Sequence, residues 1–328
     1  MNKLSVLFGV YPWAMVCPGG GERQLLAYKS HLEANYELDV RLFDQWSPSL
    51  SGAKIFHFFS VMPGSYQLCE YMKNIGLKLV ISPNLWVTKE TMYDYPHDQI
   101  WPLINLADRI IVNSWQEAYS LAEVYGMPIE KFRVVYNGVE NEYFEPVGDS
   151  SFVDAFGLEK NSYLLNVANV EPRKNQLKFV KGMLEVDKSL KLVIVGNVRD
   201  EDYAREVFEV GGSNVIHIGP LEYGSNMLKS AFTNSRAFVM PSTLETPSIA
   251  ALEASASGIP ILITNVGSTT EYFENNAVFI DPDDIESIVS GIATLISEEH
   301  KCEPLSRQFS WSSVVNDLYK HYLELLEG

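Results

Sequence analysis

Short apolar runs alternate with amphipathic segments along most of the chain, and this alternation is the strongest signal in the sequence. In the first half, apolar runs predict strands over residues 4–8, 38–43, 54–59, 77–82, 109–112 and 132–136. Apolar residues at helical spacing predict a helix that carries Leu25, Tyr28 and Leu32, and another helix over residues 116–125. Strands that alternate with helices in this way indicate a parallel sheet covered by helices on both faces.

The second half repeats the same alternation. Its apolar runs predict strands over residues 163–167, 191–195, 215–219, 237–239 and 261–263, and a last amphipathic helix carries Val315, Leu318 and Leu325. A chain of 328 residues suits two α/β domains, each with its own core. We predict a first domain over residues 1–147, a second over 148–308, and a C-terminal helix over 309–328, with the interdomain linker inside residues 145–151.

Composition removes several classes of function. The chain carries 25 basic and 42 acidic residues, a net charge of −17, which argues against a nucleic-acid-binding protein and against attraction to anionic lipid. Its three cysteines, Cys17, Cys69 and Cys302, are too few and too scattered for a disulfide framework or a zinc site, so reduced thiols are expected. With no apolar run long enough to span a bilayer and no signal peptide, we predict a soluble cytoplasmic protein.

Two glutamates flank a predicted helix start in the second half. Thr246 is the predicted N-cap, Pro247 the first helical residue, and Gly258 the C-terminal stop, so that Glu245 precedes the helix and Glu253 lies within it. A helix N-terminus offers unpaired amides to an anion such as a diphosphate. A carboxylate beside such a site is better suited to accept hydrogen bonds from neutral hydroxyls, for example those of a sugar.

Cations and glycines lie near the ends of other predicted strands. Arg173 and Lys174 follow the strand over residues 163–167 and can neutralise a diphosphate and the charge that grows as it leaves. Gly20 and Gly21, in the glycine-rich segment after the first strand, permit close backbone approach to a phosphate or sugar, although a plain turn would explain them too.

These residues resemble a known family. Glu245 and Glu253, separated by seven residues and flanked by residues 241–242 and 258–260, resemble the paired-glutamate signature of retaining glycosyltransferases of family 4. The resemblance implies a GT-B fold, in which two Rossmann-like domains with parallel sheets face each other across a cleft and the terminal helix crosses back to the first domain. It also implies a nucleoside-diphosphate sugar held mainly by the second domain, and a glycan or lipid-linked acceptor presented by the first.

The resemblance also assigns roles to individual residues. It implies that Glu245, Arg173 and Lys174 are catalytic, with the two cations on the diphosphate, Glu245 on the donor sugar and Glu253 on the ribose. The leaving phosphate would take the acceptor proton, so no cofactor and no metal ion are expected, and the Asp-x-Asp at residues 281–283 is interpreted as a turn. The predicted donor-binding set comprises Gly20, Gly21, Arg173, Lys174, Gly219, Glu245, Thr246, Pro247, Ser248, Ile249 and Glu253.

The chain departs from the family pattern directly after the first glutamate. Where the family has a glycine, an apolar residue and a second glycine, this chain has Thr246, Pro247 and Ser248. Proline has no N–H group, so one backbone donor to the sugar is missing, which predicts a donor that lacks or masks a hydroxyl, such as a deoxy or acetamido sugar.

Two other classes of function stay open, as does the setting of the reaction. A non-hydrolysing sugar-nucleotide epimerase shares the GT-B fold, and a non-catalytic nucleotide-sugar-binding protein would keep the phosphate site without turnover. Bacterial surface-polysaccharide assembly at the inner face of the membrane is the expected setting. Trp13, Trp86 and Trp101 lie in predicted loops, where they would either contact the inner membrane peripherally or be buried in the core.

Overall fold

The computed structural model describes residues 3–16, 19–145, 148–297 and 303–327. It divides into two compact units, the first formed by Met1–Gly138 with Gln308–Gly328 and the second by Val139–Arg307. Each unit contains a six-stranded sheet whose paired strands are all parallel. The predicted architecture of two Rossmann-like α/β domains is confirmed.

The first unit follows the predicted alternation closely. Its strands are β1 Leu4–Gly9, β2 Leu38–Leu42, β3 Ala53–Phe59, β4 Lys78–Ser82, β5 Arg109–Val112 and β6 Phe132–Val134. Its sheet has the order β2-β1-β3-β4-β5-β6. The helices between these strands are α1 Gly20–Asn35, α2 Tyr66–Asn74, α3 His97–Leu106 and α4 Trp115–Tyr125.

Both faces of this first sheet are buried, which explains why its strands read as continuous apolar runs. In β3, Phe56 and Phe58 belong to the core on one face, while Ile55 and Phe59 belong to the core on the other. Successive side chains of a strand point to opposite faces, so a strand covered on both sides needs apolar residues at nearly every position. His57 interrupts the run and is buried too.

The second unit is built in the same way. Its strands are β7 Leu164–Val167, β8 Leu192–Val195, β9 Val215–Gly219, β10 Ala237–Met240, β11 Ile261–Thr264 and β12 Val278–Ile280. The sheet order is β12-β11-β10-β7-β8-β9, so the chain builds outward from β7 first in one direction and then in the other. The helices are α5 Ser151–Phe156, α6 Gln176–Val186, α7 Glu201–Gly211, α8 Asn226–Asn234, α9 Ile249–Ala256, α10 Thr269–Phe273 and α11 Ile285–Leu295.

The last helix, α12 Trp311–Glu327, packs in the first unit. Trp311, Val315 and Leu318 are buried in the core that also contains strand β1. The Tyr322 hydroxyl and Nδ1 of His57 in β3 form a hydrogen bond of 2.6 Å. The C-terminal helix therefore supplies one covering layer of the first sheet.

The division between the units falls nine residues before the predicted one, at Gly138/Val139 instead of 147/148, and the return falls at 307/308 instead of 308/309. Packing explains the difference. Tyr143 is buried and makes an edge-to-face contact with Phe232 of α8, with ring centroids 5.9 Å apart. The segment after Val139 therefore already belongs to the second unit. Two residues of the predicted linker, Pro146 and Val147, lie outside the described residues.

The described residues test part of what the sequence predicts about the cysteines and about membrane-spanning segments. Cys69 is a buried free thiol, whereas Cys17 and Cys302 lie outside the described residues. Within the described ranges, none of the helices has both the length and the apolar character needed to cross a membrane. Trp13 and Trp101 are exposed, and Trp86 is half-buried.

Candidate functional site

The sheet order of the second unit brings two charged loops together. Strands β10 and β7 are neighbours and pair in parallel, with Ala237 opposite Leu164 and Phe238 opposite Leu165. Parallel neighbours end at the same edge, so the loop after β7, which carries Arg173 and Lys174, meets the loop after β10, which carries Glu245. This point is also where the strand order reverses, the position at which open α/β sheets bind ligands.

A buried ion pair forms at this edge. The Lys174 Nζ donates to Glu245 Oε1 at 2.5 Å, and the side chains of Lys174 and Glu245 are only 12% and 7% exposed. Burial alone would raise the pKa of Glu245, but the Lys174 ammonium and its hydrogen bond, the Ser242 hydroxyl and the Arg173 charge together outweigh burial and hold this pKa below its ordinary value. Glu245 is therefore a carboxylate at neutral pH.

Arg173 lies beside this pair and is more open to solvent, with 51% of its side chain exposed. Its Nη1 is 3.9 Å from Glu245 Oε1 and donates to the backbone oxygen of Leu244 at 3.2 Å. Its Nη2 is 3.5 Å from Glu171 Oε1, and Arg199 Nη1 is 3.6 Å from the other oxygen of Glu171. The exposed guanidinium can therefore meet an incoming anion without leaving its protein contacts completely.

Glu171 and Arg199 were missed by the sequence reasoning. The signal for Glu171 was present, because an acid two residues before Arg173 in a loop after a strand is a natural counterion. Arg199 follows β8, the other neighbour of β7, and only the sheet order brings it to this edge.

The backbone of Glu245 is held by the loop after β11. Glu245 N donates to Val266 O at 3.2 Å, and Ser268 N donates to Glu245 O at 3.0 Å. Gly267, between these partners, has φ +104°, and a Cβ atom there would lie 2.0 Å from Glu245 O. The close approach therefore requires glycine at position 267. Sequence reasoning overlooked Gly267, although a glycine soon after a buried strand was a usable signal.

The start of α9 differs from the prediction. Ser248 is the N-cap, with its side chain accepting from Ala251 N at 3.3 Å, and the first helical residue is Ile249. The assignment of Thr246 as N-cap and Pro247 as first helical residue is wrong, because the hydrogen bonds to the β11 loop hold this backbone in an extended bridge at Glu245. Gly258, with φ +74°, follows the end of the helix as expected.

The remaining donor-binding candidates in the second unit lie at different depths. Glu253 is in the middle of α9 and only 2% exposed, and Pro247 and Ile249, at the start of that helix, are buried as well. Gly219 ends β9, the edge strand, and its oxygen accepts from Gly196 N at 3.0 Å. Glu245, Arg173 and Lys174 are thus in mutual contact, while Gly219 ends a strand that lies two places away from β7 in the sheet.

Gly20 and Gly21 belong to the first unit and form the first turn of α1, where a glycine-rich loop was expected. The helix begins early because Glu22 closes its N-terminus: Glu22 Oε2 accepts from Gly19 N at 2.7 Å, and Glu22 Oε1 accepts from the Tyr11 hydroxyl at 2.9 Å. A Cβ atom at Gly21 would lie 3.0 Å from the Asn84 amide nitrogen, so space is tight at that position.

Metal ligands are not clustered in the part of the chain that the structure describes, where no group of three or more His, Cys, Asp or Glu side chains could hold a metal ion. The Asp-x-Asp at residues 281–283 forms a turn, as predicted, in which Asp283 N donates to Asp281 Oδ1 at 2.9 Å.

Comparison with known families gives two matches. The family model described as "Glycosyltransferase Family 4" matches residues 18–143, and the one described as "Glycosyl transferases group 1" matches residues 152–309. Among curated proteins, the chain is 28% identical over 187 residues to the O-antigen chain mannosyltransferase RfbU of Salmonella typhimurium, covering 57% of this chain and 50% of that protein. It is 26% identical over 248 residues to the D-inositol 3-phosphate glycosyltransferase of Thermobispora bispora, covering 69% of this chain and 58% of that protein. The chain thus matches between 50% and 58% of the length of these two relatives.

Solved structures share the fold. The glycosyltransferase from Rickettsia africae superposes with a TM-score of 0.79 at 14% identity, over 100% of each chain. The Anabaena protein Alr3699/HepE, in complex with UDP and glucose, superposes with a TM-score of 0.79 at 16% identity, over 98% of this chain and 100% of that one. At these identities the likeness establishes the architecture alone.

Proposed function

Because the chain belongs to the group 1, family 4 glycosyltransferases and has their GT-B fold, we propose that it moves a sugar from a nucleoside-diphosphate sugar to an acceptor hydroxyl, with retention of anomeric configuration. One observation carries the proposal: Arg173 and Lys174 converge with Glu245 at the point where the strand order of the second sheet reverses. Two cations and a carboxylate at such a crevice suit a ligand that is anionic at one end and hydroxylated at the other.

The cations are proposed to bind the diphosphate. Arg173 is half exposed and offers its guanidinium to solvent, while Lys174 is nearly buried and lies deeper in the loop. Charge-assisted hydrogen bonds from both would hold the ground-state diphosphate and stabilise the negative charge that develops on it during transfer. UDP and UDP-glucose are bound by the Anabaena structural neighbour, which supports a nucleoside-diphosphate sugar as donor.

Glu245 is proposed to position the donor sugar. As a carboxylate with a lowered pKa it can only accept hydrogen bonds, and sugar hydroxyls are donors. In the proposed step, the bond from the anomeric carbon to the phosphate oxygen breaks and the bond to the acceptor oxygen forms on the same face. The acceptor proton passes to the leaving phosphate oxygen, so the step requires neither a side-chain nucleophile nor a metal ion.

The other assignments are part of the same proposal. Glu253 would accept from the ribose hydroxyls, and the turn formed by Thr246, Pro247 and Ser248 would face the sugar. Gly20 and Gly21 would approach the donor through their backbone at the N-terminus of α1, whose positive end favours an anion.

The setting is proposed from one relative and from surface features. The likeness to an O-antigen mannosyltransferase supports a role in bacterial surface-polysaccharide assembly, with a glycan or lipid-linked acceptor. Exposed Trp13 and Trp101 support peripheral contact with the inner membrane.

Nucleotide binding and turnover of site variants test the proposal. Thermal-shift measurements against UDP, GDP, ADP and TDP would identify the base, since a ligand that binds only the folded state raises its stability. Replacing Arg173 and Lys174 with alanine should weaken the preferred nucleotide by roughly tenfold to hundredfold for each lost charge-assisted bond. Glu245→Gln should not weaken nucleotide affinity, whereas turnover should fall, because this residue is assigned to the sugar.

Arg205→Ala is the matched control, since Arg205 is an exposed arginine of the same unit that pairs with Asp202 at 3.0 Å, on helix α7. It should leave both nucleotide affinity and turnover unchanged. If Glu245→Gln weakened nucleotide binding as severely as the double cation variant, the division of roles between these residues would be wrong. Release of nucleotide that is independent of an acceptor hydroxyl would contradict glycosyl transfer itself.

A further inference from the structure

The first unit contains a cavity of about 640 Å³ at the carboxyl ends of its first three strands. Phe8 of β1, Leu42 of β2 and Phe58 of β3 line it. These strands are adjacent in the order β2-β1-β3, and the chain leaves β1 first to one side and then to the other, so the cavity lies where the strand order reverses. Both its volume and its position are those of a ligand site in an open α/β sheet.

The cavity has an apolar floor and an exposed apolar rim. Phe8, Leu25 and Phe58 form the floor and are buried, and their side chains carry no hydrogen-bonding group. At the rim, Trp13 and Trp46 are exposed although they are large and apolar. Exposed apolar side chains of this kind mark a surface that contacts another molecule, and where they surround a concave apolar floor a ligand-binding groove is one such site.

Charge narrows the chemistry of the occupant. Asp44 is the charged residue among the described residues that line the cavity, and neither lysine nor arginine is among them. Asp44 Oδ1 accepts from Trp46 N at 2.8 Å, and the Tyr11 hydroxyl donates to Glu22 Oε1 at 2.9 Å, so both groups already have internal partners. Gln45 and Ser65 are the uncharged polar side chains of the described lining, and most of the other lining residues are apolar. A phosphate would find no counterion here, and sugar hydroxyls on the floor would lose their hydrogen bonds. The cavity suits an uncharged hydrocarbon group.

Tyr11 connects this cavity with the N-terminus of α1. Its ring lines the cavity and contacts Trp13 edge-on, with centroids 5.3 Å apart, while its hydroxyl bonds to Glu22 in the first turn of α1. Gly20 and Gly21 lie in that same turn. Within the first unit, a molecule with its apolar part in the cavity could therefore place its polar end at the N-terminus of α1.

We propose that this cavity binds the hydrocarbon chain of an amphiphilic acceptor, which makes the acceptor lipid-linked rather than a free glycan. That the bound molecule is an acceptor rests on the proposed function, glycosyl transfer. The preference of the cavity for a hydrocarbon chain rests on the residues that line it. Asp44 and the absence of lysine and arginine from the described lining set this apart from adsorption to an anionic membrane, because the bound group is a single uncharged chain.

Binding of alkyl β-D-glucosides, from hexyl to decyl and below their micellar concentrations, tests the inference by calorimetry on the full chain. Affinity should rise about fourfold for each added methylene until the cavity is full, the factor expected when one buried CH₂ leaves water. Glucose at the same concentration should neither bind detectably nor compete. An affinity that does not depend on chain length, or competition by glucose, would overturn the proposal.

Variants with matched controls locate the binding. Trp46→Ala and Leu42→Glu should weaken decyl glucoside by at least tenfold. Tyr93→Ala and Ile75→Glu should not, since Tyr93 is 88% exposed like Trp46 and Ile75 is 44% exposed against 46% for Leu42, and neither control residue lines the cavity. Equal weakening by the control variants would overturn the assigned location. If Leu42→Glu instead changed the sedimenting mass while chain binding persisted, the cavity would be an interface between copies.

Failure of this inference can be told apart from failure of the proposed function. Nucleoside-diphosphate binding is measured separately and depends on Arg173 and Lys174 of the second unit. Chain-length-dependent binding without any sugar transfer would uphold the cavity's chemistry and contradict the transferase. Sugar transfer that is equally efficient for acceptors of every chain length would uphold the transferase and contradict the role proposed for the cavity.

Discussion

The Lys174–Glu245 pair makes a sharp prediction about stability, because both side chains are almost completely buried. The perturbation is a cycle of three variants: Lys174→Met, Glu245→Gln and the double variant. Lys174→Met keeps the length of the side chain but removes its charge. Glu245→Gln keeps an oxygen that can accept from Lys174 Nζ and loses only the charge.

The structure sets the magnitudes. Removing one member of a buried ion pair typically costs about 3–5 kcal/mol, because the other charge is left uncompensated. We expect about 3 kcal/mol for Lys174→Met, because Arg173 Nη1 is still 3.9 Å from Glu245 Oε1. Glu245→Gln should cost about 2–3 kcal/mol, because the buried Lys174 ammonium loses its counterion but keeps a hydrogen bond to the amide oxygen. The double variant should cost less than Lys174→Met alone, since it leaves no unpaired carboxylate.

Hydrogen exchange followed by mass spectrometry over residues 240–268 measures this locally. A single global unfolding free energy would not serve, because proteins of two units need not unfold in one step. All six tryptophans lie in the first unit, so tryptophan fluorescence in a urea titration supplies an internal reference that the substitutions should leave unchanged. If the two single costs add to the double cost within about 0.5 kcal/mol, the residues do not interact and the interpretation of the site is wrong.

Four further predictions concern the metal dependence of activity, the stability of the first unit at low pH, the loop after β11 and the selectivity for the donor sugar. Activity should survive excess EDTA, because Arg173 and Lys174 already supply positive charge; activity that is lost and then restored by magnesium or manganese would contradict this. Burial lowers the pKa of His57 from its ordinary value of about 6.5 to about 3. Between pH 6.5 and pH 3 the unfolded chain therefore binds more protons at His57 than the folded chain does. The unfolding free energy of the first unit should therefore fall with decreasing pH in that window, by up to about 1.4 kcal/mol per pH unit, and His57→Gln should flatten the slope measured by tryptophan fluorescence. Gly267→Ala should lower turnover and stability by more than Gly224→Ala, since both glycines have positive φ but only the first would place a Cβ atom against Glu245 O; equal losses in calorimetry would refute the role of that contact. Pro247→Ala restores a backbone N–H and should narrow the preference for deoxy or acetamido donors by roughly tenfold, and a wild-type optimum for plain glucose or mannose donors that the variant leaves unchanged would count against it.

The strands could be predicted because burial on both faces leaves a local mark. In β7 and β10 every residue except Asn166 is apolar, and the predicted strands over 163–167 and 237–239 each fall within one residue of the observed bounds. Asn166 does not interrupt its strand, since its amide donates to Val239 O of the neighbouring strand at 2.7 Å and accepts from Gln176 at 3.2 Å. These strands could therefore be predicted from the apolar pattern alone, without knowing which residues bond to Asn166.

The start of α9 could not be predicted from the same kind of signal. Thr246 followed by Pro247 is a good local helix start, and Ser248 followed by Ile249 is another. What decides between them is the bridge from Glu245 to Gly267, whose two loops are 22 residues apart in sequence and meet only because β10 and β11 pair. Local preference was nearly balanced, and a tertiary contact selected the later start.

The ion pairs at the site bear on how the donor would be bound. In the structure the carboxylates of Glu171 and Glu245 already partner Arg173, and Glu245 also partners Lys174. A diphosphate that bound these cations would compete with the protein's own carboxylates, and its gain would be the difference between two charge-assisted sets of bonds. Each bond that Lys174 transferred to phosphate would free an oxygen of Glu245, which is then available to a hydroxyl donor. Under the proposed function, occupation of the diphosphate site and readiness of Glu245 for the sugar are therefore one event, so nucleoside diphosphate alone should leave Glu245 less well satisfied than the complete donor does.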